Sequence, residues 1–197
     1  MKTILLSLAL SIMSLFVFAT KPHIETVAVD AKSSIVKWIG SKISSSHEGN
    51  VNIGKGVLSI NHGTLVGGQI SINMNSISCT DIESAKKNKY FVDHMKDEDF
   101  FNTEVFPLAL LKITKTVKGK GNNYKIIADL TIKGITHSIA FLADVEIDGL
   151  NFSAKANLEI DRTKWGIKYG SGSFFDNLGD KMILDEIEFQ VLLQSVK

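Results

Sequence analysis

The sequence predicts an all-β protein, an antiparallel β-barrel with one short helix, and three observations carry that reading. Apolar and polar residues alternate with a period of two in run after run. Short segments rich in Gly and Asn separate the runs, as hairpin turns do. A single segment has the start signal and composition of a helix.

Residues 1–19 stand apart from this pattern. Lys2 is followed by an apolar run over residues 4–18, and Val17-Phe18-Ala19 offers small residues for cleavage. That is the layout of a secretory signal peptide. The run is shorter than the roughly 20 residues that span a bilayer and holds three serines, so no integral span is expected after cleavage. No cysteine follows it to carry a lipid anchor. Residues 20–197 then form one barrel domain, a size that suits a single core.

The elements follow in order. Residues 34–43, 49–53 and 57–60 read as strands with weaker alternation. Ile70-Ser71-Ile72-Asn73-Met74-Asn75 alternates without a fault. Thr80-Asp81-Ile82-Glu83 has the form of a capping box, and predicts a helix over residues 81–94. An acidic-aromatic turn through Asp97, Asp99, Phe100 and Phe101 comes next. Pro107 opens a strand over residues 108–116, where a missing N–H is tolerated. Tyr124, Ile126, Ala128, Leu130 and Ile132 then share one face. Ile139, Phe141, Ala143, Val145 and Ile147 repeat the pattern, as do Phe152, Ala154, Ala156, Leu158 and Ile160. Ile187, Phe189, Val191 and Leu193 close it. Residues 118–123, Lys133-Gly134 and Asp148-Gly149 supply the turns.

About eight to ten strands with one apolar face can hide it in a barrel or a sandwich. Short connections imply a meander, which favours the barrel over Greek-key crossings. A membrane barrel would turn its apolar face outward between aromatic girdles, and those are absent. Alternation leaves open whether the interior is filled or holds a ligand.

Charge and cysteine exclude several partner classes. Lys2 is the only charged residue before residue 20, so removing the signal takes the formal net charge from +1 to 0. No global field draws nucleic acid or an anionic membrane. Cys79 is alone, which rules out an internal disulfide and cysteine-rich zinc sites, and reads as a small residue ending a strand. The five histidines lack metal-ligand spacing, and no cofactor or catalytic nucleophile is indicated.

Several segments, taken together and in order, resemble one family. They are Asp93-His94-Met95-Lys96-Asp97-Glu98-Asp99-Phe100-Phe101 with Phe106-Pro107, then the hairpin Asp129-Leu130-Thr131-Ile132-Lys133-Gly134-Ile135-Thr136, then Asp161-Arg162-Thr163-Lys164-Trp165-Gly166-Ile167. Residues 44–49, with His47, and Asn75-Ser76-Ile77 also fall in line. This set is similar to the YceI-like family of exported lipid-binding proteins. It departs from the family at Ala128-Asp129, where a glycine is usual, and at Met95, where leucine is usual. The resemblance implies an extended, eight-stranded lipocalin-like barrel with a helix near one end. It further implies a hydrophobic interior for a polyisoprenoid or other long-chain lipid, and a periplasmic location in the cell envelope.

On that footing the candidate ligand-binding residues are the inward stripe Ile126, Ile139, Phe141, Phe152, Ile187, Phe189 and Val191, with His47 and His94 from the resembling segments. Ala128, Ala143, Ala154 and Ala156 share those faces and leave room inside. The competing reading is a filled core acting through surface contacts, which an interior void well below about 300 Å³ would favour. A third is an envelope hydrolase or isomerase using His47 or His94 with Asp97. His137 is weighed as a mouth group or a wetted turn residue, Asp161-Arg162 as a headgroup site or a structural pair. Asp176, Asp180 and Asp185 are read as loop residues. The oligomeric state, a homodimer included, stays open.

Overall fold

The computed structural model describes residues 23–196, so the expected signal segment lies outside the described residues. Its strands are β1 (Ile24–Ala28), β2 (Ile35–Lys42), β3 (Ser46–Asn61), β4 (Thr64–Cys79), β5 (Leu108–Lys118), β6 (Asn123–Ile132), β7 (Ile135–Asp148), β8 (Asn151–Asp161) and β9 (Ile183–Gln194). One helix, α1 (Ala85–Lys96), lies between β4 and β5. Every pairing between these strands is antiparallel. From β2 to β9 each strand pairs with the next, and β9 returns to β2. The result is a closed, eight-stranded up-and-down barrel, the architecture the alternation and short turns predict. Closure removes the edges on which open sheets aggregate.

β1 does not add a ninth stave. It pairs with Val57 to Asn61 of β3, whereas β2 pairs with Ser46 to Val51 of the same strand. The two are one interrupted stave, bridged to the last strand by Val29 and Ser195.

The segments 49–53 and 57–60, expected as separate strands, are parts of the 16-residue β3. The ladder to β4 shifts register between Ile53 and Lys55, where alternation stops. This bulge lies at Gly54-Lys55-Gly56, and a Cβ on Gly56 would meet Val29 Cγ2 at 2.9 Å. Bulges bend long strands around a barrel wall. At about 3.3 Å per residue, the 16 residues of β3 cover about 50 Å of chain, running at a tilt along the barrel wall.

The helix begins four residues later than expected. Ser84 precedes it without a side-chain cap bond, and it runs to Lys96. Thr80 instead gives its backbone N–H and its hydroxyl to the Glu48 carbonyl, at 2.9 and 3.2 Å. Asp81 accepts the Glu48 N–H at 3.1 Å. Cross-strand pairing thus claims the groups that a capping box would have used. No helix among the described residues is long and apolar enough to cross a membrane.

The two barrel ends differ. At the end where β3 turns into β4, β5 into β6 and β7 into β8, Leu58, Ile60, Leu65 and Tyr124 are 0–2% exposed. The Tyr124 hydroxyl there accepts the Leu65 N–H at 3.4 Å. At the other end α1, the 3₁₀ turn Arg162–Trp165 and the segment before β9 surround an opening.

Candidate ligand-binding site

The barrel interior is hollow. A cavity of about 350 Å³ runs from Leu58, Leu65, Val145 and Leu193 near the closed end to Tyr90, His94 and Tyr169 at the open one. Strand pairing builds its wall, with Ile126 opposite Phe141, Trp38 and Leu158 flanking Phe189, and Ile160 opposite Ile187. Phe141, Leu158, Ile187, Phe189 and Val191 point inward yet are only half-buried. The surface they retain is the surface of the cavity, which is what distinguishes this interior from a filled core. Ala143, Ala154 and Ala156 also line it.

Of the expected inward stripe, Ile126, Phe141, Ile187, Phe189 and Val191 reach the cavity. Ile139 and Phe152 do not. Ile139 packs on the core beside the cavity. Phe152 is buried near the closed end, where its N–H donates to Ser195 Oγ at 3.1 Å. Alternation shows which face a side chain occupies but not its depth along the barrel. Trp38, Phe91, Met95 and Tyr169 line the cavity although none was among the expected ligand-binding residues. The helical pair Phe91 and Met95, at i and i+4, is the signal that marks the inward face of α1.

Polar groups collect at the open end. Ser41, Lys42, His47, His94 and Arg162 belong to the lining there. His94 meets Tyr169 and Phe100 edge-on, at centroid distances of 4.7 and 5.1 Å. The His47 ring lies 4.7 Å from that of Phe91. Lys155 of β8 is the one charged lining residue away from this end. A largely apolar tube with most of its polar groups at the mouth suits an amphiphile held tail-first.

The expected pairing of His47 or His94 with Asp97 is not made. Asp97 terminates α1, and the carboxylate bonded to His47 is Asp81, whose Oδ2 accepts from Nδ1 at 2.8 Å. Cys79 Sγ donates to the other oxygen at 3.1 Å. Burial alone would raise the Asp81 carboxyl, but donors from Cys79, Glu48 and His47 bring it down to about 2. Burial and the neighbouring Asp81 push the Cys79 thiol up. A carboxyl depressed in the folded state stabilises it above the unfolded value near 3.9, and that contribution fades as pH falls through the folded value. Asp81→Asn is therefore expected to lower stability by about 1–2 kcal/mol at neutral pH. Its deficit against the parent should shrink between about pH 4 and pH 2. Urea titrations of both proteins across that range check this, and a pH-independent deficit would contradict it.

Three further expectations change in the structure. Asp161 does not pair with Arg162, since it accepts from the Thr163 N–H and hydroxyl instead. Arg162 is 1% exposed, and its guanidinium donates to the carbonyls of Leu184, Ile167, Tyr169 and Ile183 at 2.8–3.1 Å. Its carboxylate partner is Asp185, 3.5 Å away, which lies in β9 and not in a loop. Burial would raise Asp185, but Ser171, Ser173 and the Arg162 charge hold it below its ordinary value. His137 lies in β7, half-buried and outside the lining, with Nε2 donating to the Lys164 carbonyl at 2.9 Å.

The chain matches the model of the YceI-like domain over residues 27–195. It shares 39% identity over 61 residues with a UPF0312 protein of Photorhabdus laumondii, and spans 29% of that relative's length. Among solved structures, BcnA of Burkholderia cenocepacia superposes with a TM-score of 0.69 at 20% identity, covering 85% of this chain and 99% of BcnA. A polyisoprenoid binding domain from Saccharophagus degradans gives 0.64 at 16%, covering 89% of this chain and 98% of that domain. The YceI protein of Campylobacter jejuni gives 0.52 at 16%, covering all of this chain and 99% of that one. At such identities the structural likenesses establish the fold alone.

Proposed function

This chain belongs to the YceI-like domain family, and from that membership and its hollow barrel we propose that it is a lipid-binding protein of the cell envelope. It takes the tail of a polyisoprenoid or similar long-chain amphiphile into the barrel and leaves the headgroup at the mouth. The observation that carries this is the predominantly apolar cavity of about 350 Å³, open at one end, where most of its polar lining residues gather. Its volume exceeds the roughly 300 Å³ below which a filled core would be the better reading. The likeness to a polyisoprenoid binding domain supports the same ligand class.

The role is carriage or sequestration rather than catalysis. A tail of about thirty carbons, at about 0.3 kcal/mol per atom, gives about 9 kcal/mol and sub-micromolar affinity. Export to the periplasm through residues 1–19 supplies the setting. A carrier of this kind binds and releases its cargo unchanged.

Organic extraction of the purified protein followed by mass spectrometry tests the proposal. A long-chain amphiphile should be recovered at about one per chain. Absence of stoichiometric lipid, in both native and reloaded samples, would overturn the reading. Cell fractionation, with and without residues 1–19, tests the location separately.

A further inference from the structure

We infer that His47, Cys79 and Asp81 form a binding site for a borderline-soft divalent cation, zinc above all, in the wall of the barrel mouth. The inference starts from strand pairing and does not depend on the lipid reading. In the β3–β4 ladder Gly49 faces Cys79 and Asn50 faces Ser78. Continuing that register sets His47 opposite Asp81, two residues along from Cys79. Side chains two apart share a face, so all three lie on one side of the wall.

The geometry agrees. One ligand atom from each residue lies within 4.8 Å of the other two. His47 Nδ1 and Cys79 Sγ each contact one Asp81 oxygen, at 2.8 and 3.1 Å. Zinc sits about 2.0–2.3 Å from nitrogen, oxygen and sulfur ligands, so tetrahedral donors lie within about 4 Å of one another. Small side-chain adjustments bring these three to that spacing. Opposite Cys79, Gly49 lets the Ser78 carbonyl and the Trp38 ring approach the strand, since a Cβ there would fall 1.8 Å from that oxygen. Cys79 is 7% exposed, and it has no second cysteine to pair with.

A thiolate, an imidazole and a carboxylate suit zinc, whereas calcium and magnesium require oxygen ligands. Three protein ligands leave one position open, for water or another oxygen donor. On binding, the Cys79 thiol gives its proton to solvent. A neutral His47 that ligates through Nδ1 moves its own proton to Nε2. One proton is released per metal, so affinity rises with pH.

The test uses the full-length protein, reduced and stripped with a chelator, then titrated with zinc against a chromophoric competitor. One equivalent is expected, with micromolar affinity or tighter and no comparable uptake of calcium or magnesium. Cys79→Ser and His47→Gln should each weaken it at least about tenfold. His62→Ala, at the closed end, should not. Cobalt in place of zinc should show a thiolate-to-metal charge-transfer band that Cys79→Ser lacks. Absence of stoichiometric zinc, undiminished binding by Cys79→Ser, or no thiolate band in the wild-type cobalt form would each overturn the assignment. The three residues would then be a hydrogen-bonded brace around Asp81 and nothing more.

Discussion

Ala156→Phe is expected to weaken lipid binding about thirtyfold while leaving the barrel folded and nearly as stable as before. Ala156 lines the cavity, paired across the wall with Val191 on one side and Ala143 on the other. A phenyl ring placed there adds about six carbons to the interior and displaces about as many from the ligand. At about 0.3 kcal/mol per ligand atom the loss is about 2 kcal/mol, which corresponds to that factor. The same substitution in a filled core would force side chains off their rotamers at a cost of about 1–3 kcal/mol in stability. Fluorescence titration with a long-chain isoprenoid probe, beside a urea melt of each protein, separates the two cases. Retained affinity with lost stability would sink the hollow-barrel account.

Arg162→Ala is expected to lower the unfolding free energy by about 3–5 kcal/mol, the range for breaking a buried charge network from one side. Its guanidinium ties the carbonyls of Ile167 and Tyr169 to those of Ile183 and Leu184. It thereby joins the segment after β8 to the start of β9. Removing it orphans those carbonyls and leaves Asp185 beside them without its cation. Arg162→Lys should recover little, because one ammonium cannot reproduce a planar fork that serves several acceptors at once. Chemical denaturation of the three proteins reads this directly. A lysine variant as stable as the parent would show that charge alone matters at this position.

The fold was legible because its cause is local. Alternation in residues such as Ile70 to Asn75 and Phe152 to Ile160 requires half-buried strands wherever the chain goes. Lys133-Gly134 meets the two positive φ angles of a two-residue hairpin turn, at 48° and 73°. Where a local signal competed with a distant partner, the partner won. Thr80 and Asp81 have the chemistry of a helix start, yet the ladder with His47 and Glu48 takes up their hydrogen bonds. His62-Gly63 makes a turn of the same kind between β3 and β4, with φ of 47° and 69°.

The site was legible only as a face. Ile126, Phe141 and Phe152 belong to one periodic stripe, but Phe152 is spent on closing the barrel while the other two face the void. Depth along the barrel depends on where each strand enters and on its shear against its neighbours, and period two contains neither quantity. By itself the sequence determined most of the strands, though not β1 or the continuity of β3, together with their antiparallel order and the side each residue takes, because those follow from dihedral preference and side-chain alternation. Only the tertiary structure decided that the interior is hollow, that Arg162 answers to Asp185, and that His47, Cys79 and Asp81 meet. Those depend on register and packing between residues far apart in the chain, and contacts of that kind exist only once the barrel has closed.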